Sequence, residues 1–323
     1  MDINQLVALS VKHNASDLHL CPGQIPIMRI DGVLRRLDNQ ELVAATWVDH
    51  CGGEYLDTHG RRALALTGQA DCAVTFPQGQ RARGHFFRQQ SGVSVAFRLI
   101  PAQCPTLATL ALPASIAGLL SKRQGLLLVT GATGSGKSSS LAAMLDHLNE
   151  HHRVHIITLE DPIEYLHRCR HSLIQQREIG VHCPDVASGL RAVLREDPDI
   201  VLLGELRDPP SIRLALTAAE TGHLVLATLH ARHAAQAVDR LVDGFGAGEQ
   251  GFVRSLLAGS LVAIMAQQLV ARPEGGRRAL FELMVATPAV RNLIRDGKTH
   301  LLPALLQTGK GQGMQLFDSP VLV

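Results

Sequence analysis

Residues 131–138 read Gly131-Ala132-Thr133-Gly134-Ser135-Gly136-Lys137-Ser138, the spacing G-x-x-x-x-G-K-S. Glycines at 131, 134 and 136 let the backbone curl until its N–H groups turn inward around phosphate oxygens. A helix starting at the end of the loop adds the positive pole of its N-terminus. In this arrangement Lys137 reaches the β- and γ-phosphates and the Ser138 hydroxyl ligates Mg²⁺, while Ser139 completes the run expected to contact nucleotide. The string follows the apolar run Leu126–Thr130 and precedes the helical pattern Ser138–Leu148, as the motif requires. The expected ligands are ATP and Mg²⁺.

Three further clusters are read at the carboxyl ends of predicted strands and are expected to converge on the nucleotide. In open parallel sheets, ligands bind at the carboxyl edge, so strands that deliver polar residues there bring them to the phosphates. The first cluster is Thr158-Leu159-Glu160-Asp161-Pro162-Ile163-Glu164. Its three carboxylates repel one another unless a cation or a reacting water needs them. The second, Ile200-Val201-Leu202-Leu203-Gly204-Glu205, is an apolar strand delivering one carboxylate, the Walker B pattern for holding Mg²⁺ and its waters. The third, Thr221-Gly222-His223, precedes the run Leu224–Leu229, which ends at His230. The chain has 16 histidines, so position alone singles out His223 and His230.

Arginine supplies a different chemistry. From Arg81 to Arg98 there are four arginines and no acidic residue. Arg81 and Arg83 are two apart and share one face of a strand. An arginine placed against a transferring phosphoryl group contributes roughly 10³–10⁵ in rate, so in a ring these residues could serve a neighbouring subunit's nucleotide. A solvated strand face accounts for them equally well. Arg195, Arg207 and Arg213 stand near the carboxylate clusters, where they either balance Glu196, Asp208 or Glu205 or touch ATP.

The elements that must position these groups fall into two regions. Residues 1–99 combine a helical pattern (Ile3, Leu6, Val7, Leu9) with extended runs at 18–20, 25–30, 71–76, 81–88 and 93–99, punctuated by Asp31-Gly32 and Pro77-Gln78-Gly79. Residues 100–113 carry three prolines and no period, which suits a linker. From 114 onward apolar strands at 126–130, 154–159, 200–203 and 224–229 alternate with helical patterns at 138–148, 185–195 and 211–221. That alternation predicts a buried parallel sheet.

Composition excludes several classes. With 46% hydrophobic and 19% charged residues, the 323-residue chain is neither disordered nor fibrous. A net charge of +2 and a pI near 8.3 give no bulk attraction for nucleic acid, so none is expected as a partner. No apolar run approaches the ~18–20 residues needed to span a bilayer, and the start of the chain lacks a signal-peptide pattern. Both point to the cytoplasm. The six cysteines (Cys21, Cys51, Cys72, Cys104, Cys169, Cys183) form no CxxC pair, so no structural zinc is expected.

The ordered set GATGSGKS, TLEDPIEY, LREDPDIVLLGELRD and TAAETGHLVLATLH resembles the secretion ATPases of type II secretion and type IV pili, and in particular the pilus-retraction (PilT-like) class. Residues 14–20 and 29–32 fit that family's first domain, and 289–295 resemble the retraction class's AIRNLIRE element. The resemblance implies a smaller N-terminal PAS-like α/β domain (1–99), a linker (100–113) and a C-terminal RecA-like P-loop ATPase domain (114–323). It assigns Glu160 to orienting or deprotonating the attacking water, Glu205 to the Mg²⁺ site, and His223 and His230 to coupling nucleotide state to motion. It favours Arg83 and Arg98 as the arginines acting in trans.

The family also implies a hexameric ring at the inner membrane, working on a pilus platform protein. The lack of paired cysteines tilts the resemblance toward retraction, because extension and type II secretion ATPases usually carry a tetracysteine zinc element. Two departures stand out. The chain ends soon after Gly313-Met314-Gln315, which predicts a missing or shortened C-terminal helix. Arg295-Asp296-Gly297 places a glycine in a helical region, which predicts a weakened helix. The leading expectation is a motor ATPase powering pilus retraction. The alternatives are a nucleotide-binding accessory subunit with little hydrolysis, or a DNA-translocating or conjugative secretion ATPase.

Overall fold

The computed structural model describes residues 2–100, 103–272 and 276–317. The chain divides into two units, Met1–Gln103 and Cys104–Val323. Among the described residues no helix is long and apolar enough to cross a membrane.

In the first unit the order is α1 (Ile3–Lys12), β1 (Asp17–Leu20), β2 (Ile27–Ile30), β3 (Val33–Arg36), α2 (Ala45–Tyr55), α3 (Thr58–Thr67), β4 (Gln69–Thr75), β5 (Arg81–Gln89) and β6 (Gly92–Ile100). The strands form an antiparallel sheet ordered β3-β2-β1-β6-β5-β4. Helix α1 starts where the Asp2 carboxylate accepts from Asn4 N–H, and it buries Ile3, Leu6, Val7 and Ser10 at helical spacing. The core gathers Phe76, Phe86 and Phe97 edge-to-face with Tyr55 or one another. Helix α2 contains Gly52-Gly53 and so has low intrinsic propensity. Its buried Val48, Cys51 and Gly52 hold it on this core, Gly52 lying against Phe86.

In the second unit the order is α4 (Ser115–Leu120), β7 (Gly125–Thr130), α5 (Lys137–His151), β8 (His155–Glu160), β9 (Leu173–Glu178), α6 (Val186–Val193), β10 (Ile200–Leu203), α7 (Pro209–Glu220), β11 (Leu224–Leu229), α8 (Ala234–Asp243), α9 (Ala247–Ser260), β12 (Leu261–Ala271), β13 (Arg277–Val285), α10 (Pro288–Arg295) and α11 (Leu302–Thr308). The sheet runs β13-β12-β7-β11-β10-β8-β9, parallel except for β13. Every residue of β7, β10 and β11 is buried. Alternate side chains of β7 serve two apolar layers, Leu126 and Leu128 on one face, Leu127 and Val129 on the other. The fold is therefore α/β, with an antiparallel first sheet and the mixed, mainly parallel sheet of a P-loop ATPase.

Two segments differ from the expectations. Of the stretch 100–113, Ile100 closes β6, Pro101 and Ala102 lie outside the described residues, and Leu107 and Leu112 pack on the second unit's core. Gly297 does not sit inside a helix. Helix α10 ends at Arg295, and Gly297 (φ +70°) takes the left-handed position beyond it. Its N–H donates to Ile294 O (3.1 Å) and that of Lys298 to Leu293 O (2.8 Å), a Schellman closure, so the glycine stops the helix rather than weakening it. Near the end of the chain, the seven-residue α11 precedes Gln315, which bridges to Leu283 beside β13.

Candidate nucleotide-hydrolysis site

Parallel pairing sets the site. Thr130 is level with Leu229, Leu203 with Ala227 and with Leu159. The chain therefore leaves β7, β8, β10 and β11 at one edge, delivering the phosphate loop, Glu160, Glu205 and His230 together. Thr130 Oγ1 donates to Ala231 O and accepts from Ala231 N–H, both at 2.8 Å, locking the start of the loop to the segment after His230. Gly204 allows β10 to end close against β8, since a Cβ there would meet Leu159 O at 3.3 Å and Glu160 Cα at 3.4 Å. A cleft of about 1090 Å³ opens at this edge, lined by Gly131, Ala132, Glu205, Arg207 and His230 among others.

The loop is shaped by two contacts beyond its own sequence. Lys137 Nζ donates to Gly131 O and Ala132 O at 2.9 Å each, curling the loop around the ammonium. Burial lowers the Lys137 pKa, an effect opposed by the carboxylates of Glu205 and Glu164. Gln267 of β12 braces the loop from behind. Its Oε1 accepts from Ser140 Oγ at 2.7 Å, a Cβ on Gly131 would stand 2.3 Å from its carbonyl oxygen, and one on Gly136 2.8 Å from its Nε2. Ser139 Oγ meets Tyr165 OH at 2.9 Å, tying α5 to the loop that follows Glu160.

Glu160 Oε1 accepts from Thr158 Oγ1 (2.6 Å) and from Gln176 Nε2 (3.0 Å), and its carboxylate also accepts from the Glu164 backbone N–H. Burial nevertheless wins and raises its pKa above the ordinary carboxylate range. A carboxylate moved toward neutral pH is suited to taking a proton from water. Glu205 is held from both sides, by Arg207 Nε at 2.7 Å and His230 Nε2 at 2.8 Å. Arg207 also approaches Asp161 (3.8 Å).

The structure fits a triphosphate with its cation. Ser135 Oγ is buried in the loop with no hydrogen-bond partner among the described residues, an orphan that a phosphate oxygen would satisfy. Ser138 lies in the first turn of α5, and Glu205 supplies the oxygen a hard cation requires. Ala132, Thr133 and Gly134 form the exposed crest of the loop.

Other expected residues stand elsewhere. His223 precedes β11 at its amino end, bonded through Nδ1 to Ala218 O (3.1 Å). The strand separates it from His230 by roughly 20 Å, so within one subunit it does not join the group. Arg213 pairs with Glu249 and stacks near Phe245, Asp208 caps α7, and Glu196 holds Arg177 (2.9 Å). In the first unit Arg83 and Arg98 are directly opposed across β5 and β6, both exposed. Asp71 lies 3.6 Å from Arg83, and Asp17 accepts from Arg98 Nε at 3.0 Å. Sequence reasoning missed Gln267, Thr158 and Gln176. Only the pairing register, Thr158 beside Gln176, reveals the last two.

A phosphate loop, a strand-end carboxylate held by a histidine, and a second, half-buried carboxylate on one edge of a parallel sheet define a P-loop ATPase. The chain belongs to the type II/IV secretion system protein family, whose model matches residues 94–314. It is 55% identical, over 98% of its length and 96% of the relative's, to YggR of Escherichia coli (strain K12), named only as an uncharacterized protein. It is 43% identical to the type IV pilus retraction ATPase PilT of Pseudomonas aeruginosa, covering 98% of this chain and 92% of that one. The crystal structure of the pilus retraction motor PilT with bound ADP superposes with a TM-score of 0.88 at 37% identity, covering 98% of this chain and 95% of that one.

Proposed function

We propose that the chain is the ATP-hydrolysing motor subunit of a type IV pilus machine, powering pilus retraction as a ring. The observation that carries the reading is the convergence of Lys137, Glu160, Glu205 and His230 on one sheet edge, in a chain that matches PilT over nearly its whole length.

In this reading the loop N–H groups and Lys137 hold the triphosphate, and Ser138 and Glu205 hold Mg²⁺. Bound Mg²⁺ supplies charge neutralisation at the phosphates. Glu160, its lone pairs aimed by Thr158 and Gln176, orients the attacking water and takes its proton. His230 and Arg207 fix the rotamer of Glu205, so that movement of the segment after β11 is felt at the cation-holding carboxylate. Arg83 and Arg98, held ready by Asp71 and Asp17, are the residues a neighbouring subunit presents to the phosphates. A head-to-tail contact of this kind closes into a ring, as a hexamer in this reading, with an inner-membrane platform protein as its partner.

The test is the mass of the full chain at micromolar concentration with ATP and Mg²⁺. A closed ring is expected; a strict monomer overturns the ring reading. Retraction itself is tested in a pilus-bearing bacterium lacking its own retraction ATPase: wild type restores twitching motility and Glu205→Ala does not.

A further inference from the structure

Cys104, Asp146 and His167 come from three separate stretches of the second unit: the segment before α4, the helix behind the phosphate loop, and the loop between β8 and β9. One ligand atom of each lies within 4.8 Å of the other two, and all three residues are half-buried. They influence one another only through charge, with no hydrogen bond among them. His167 Nδ1 is buried and has no hydrogen-bond partner among the described residues. Leaving such an atom unsatisfied is unfavourable, and a cation bound by the ring removes that penalty.

We propose that Cys104, Asp146 and His167 form a divalent transition-metal site, with Zn²⁺ the ion their chemistry fits. Sulfur, imidazole nitrogen and carboxylate oxygen bind Zn²⁺ at about 2.3, 2.0–2.1 and 2.0–2.2 Å. Ligand atoms around such a centre lie about 3.3–3.8 Å apart, inside the observed spread. Mg²⁺, which demands oxygen, is not bound here, so the site does not compete with the phosphate loop for its cation. Burial keeps the imidazole pKa low and its lone pair available. Burial and Asp146 push the Cys104 thiol up to about 12, so the metal–sulfur bond forms as the thiol proton leaves to solvent.

Arg170 lies 3.4 Å from Asp146 but also 3.6 Å from Glu150, which retains it when a cation takes Asp146. The three protein ligands leave a fourth position for water. The site would clip α5, the helix that begins with Lys137, to the loop that begins at Glu160. The proposal runs against the expectation drawn from the absence of CxxC pairs, because these ligands are brought together by the fold and not by spacing.

The test uses the full chain, stripped with chelator and titrated with Co²⁺. One equivalent should bind with a thiolate-to-cobalt charge-transfer band in the near ultraviolet, and Zn²⁺ should displace it. Cys104→Ser should abolish the band, while Cys169→Ser leaves it. The neighbouring His147–His151 pair, with rings 4.3 Å apart, carries no thiolate and gives no such band. Asp146→Asn, which keeps the side-chain volume, should weaken Co²⁺ binding at least ~10-fold with Cys104 intact. No band in the wild type, a full band in Cys104→Ser, or unchanged affinity in Asp146→Asn overturns the proposal.

Discussion

His230 Nε2 stands 2.8 Å from Glu205 Oε1, while the other oxygen of that carboxylate holds Arg207 Nε at 2.7 Å. The ends of two adjacent strands are thus joined through one side chain. In the proposed mechanism His230 acts through Glu205, so its removal should lower kcat by about 10-fold and leave the KM for ATP nearly unchanged. Glu205→Ala should cost ~10²–10³, and the double variant no more than Glu205→Ala alone. Steady-state kinetics of the cycle decide; additive losses would show that the two residues act separately.

In the proposed mechanism Glu160 sets the pH dependence. Its pKa is raised, so the base loses its proton only above the ordinary carboxylate range, and kcat should rise with pH through that point. Gln176 and Thr158 oppose the shift by donating to the anion. Gln176→Leu and Thr158→Val should therefore move the acid limb to higher pH. A shift to lower pH would contradict the assignment.

The same group links stability to pH. A carboxyl with a raised folded pKa binds its proton more tightly in the folded chain. Its contribution is fully present below the unfolded pKa and is lost as pH rises through the folded one. Glu160→Gln should flatten that part of the thermal-stability profile, as read by Tm across pH.

The loop glycines are not equivalent. A Cβ on Gly134 meets nothing within 4 Å, so Gly134→Ala carries only the left-handed backbone cost of about 1–2 kcal/mol. A Cβ on Gly131 falls 2.3 Å from the backbone oxygen of Gln267 inside the sheet, which cannot yield. Binding of a fluorescent ADP analogue should survive Gly134→Ala, weakened by at most roughly 30-fold, and be lost in Gly131→Ala.

If arginines act between subunits, two inactive chains should rescue each other. Lys137→Ala removes the phosphate site but keeps Arg83, whereas Arg83→Ala does the reverse. Mixing them should restore measurable ATPase activity at the interfaces that combine one intact loop with one intact arginine. The same experiment with Arg98→Ala separates the two candidates. Arg→Lys at the effective position should fail, since the planar fork is lost.

How much of this was legible in the sequence follows from range. Strands β10 and β11 were readable to the residue because short, fully apolar runs bounded by turn residues have few other interpretations. Glu205 followed from β10, and Glu160 from the apolar run 154–159 that forms β8. Strand β12 was not readable, since Leu261–Ala271 continues an apolar stretch from α9 that periodicity cannot divide between helix and strand. Gln267 went unread with it, as its partner Ser140 is far away in the chain. His223 was misplaced for a simpler reason: it precedes Leu224–Leu229, and a residue before a parallel strand lies at the amino edge of the sheet, opposite the edge that carries the phosphate loop. Cys104, Asp146 and His167 share no spacing that a motif could record.

The central claim is tested most directly by steady-state ATP hydrolysis of the purified full-length chain with Mg²⁺, beside Glu205→Ala. The account predicts sustained turnover by the wild type and a loss of ~10²–10³ in kcat for the variant. Equal and negligible rates for the two would contradict it and leave a nucleotide-binding accessory subunit.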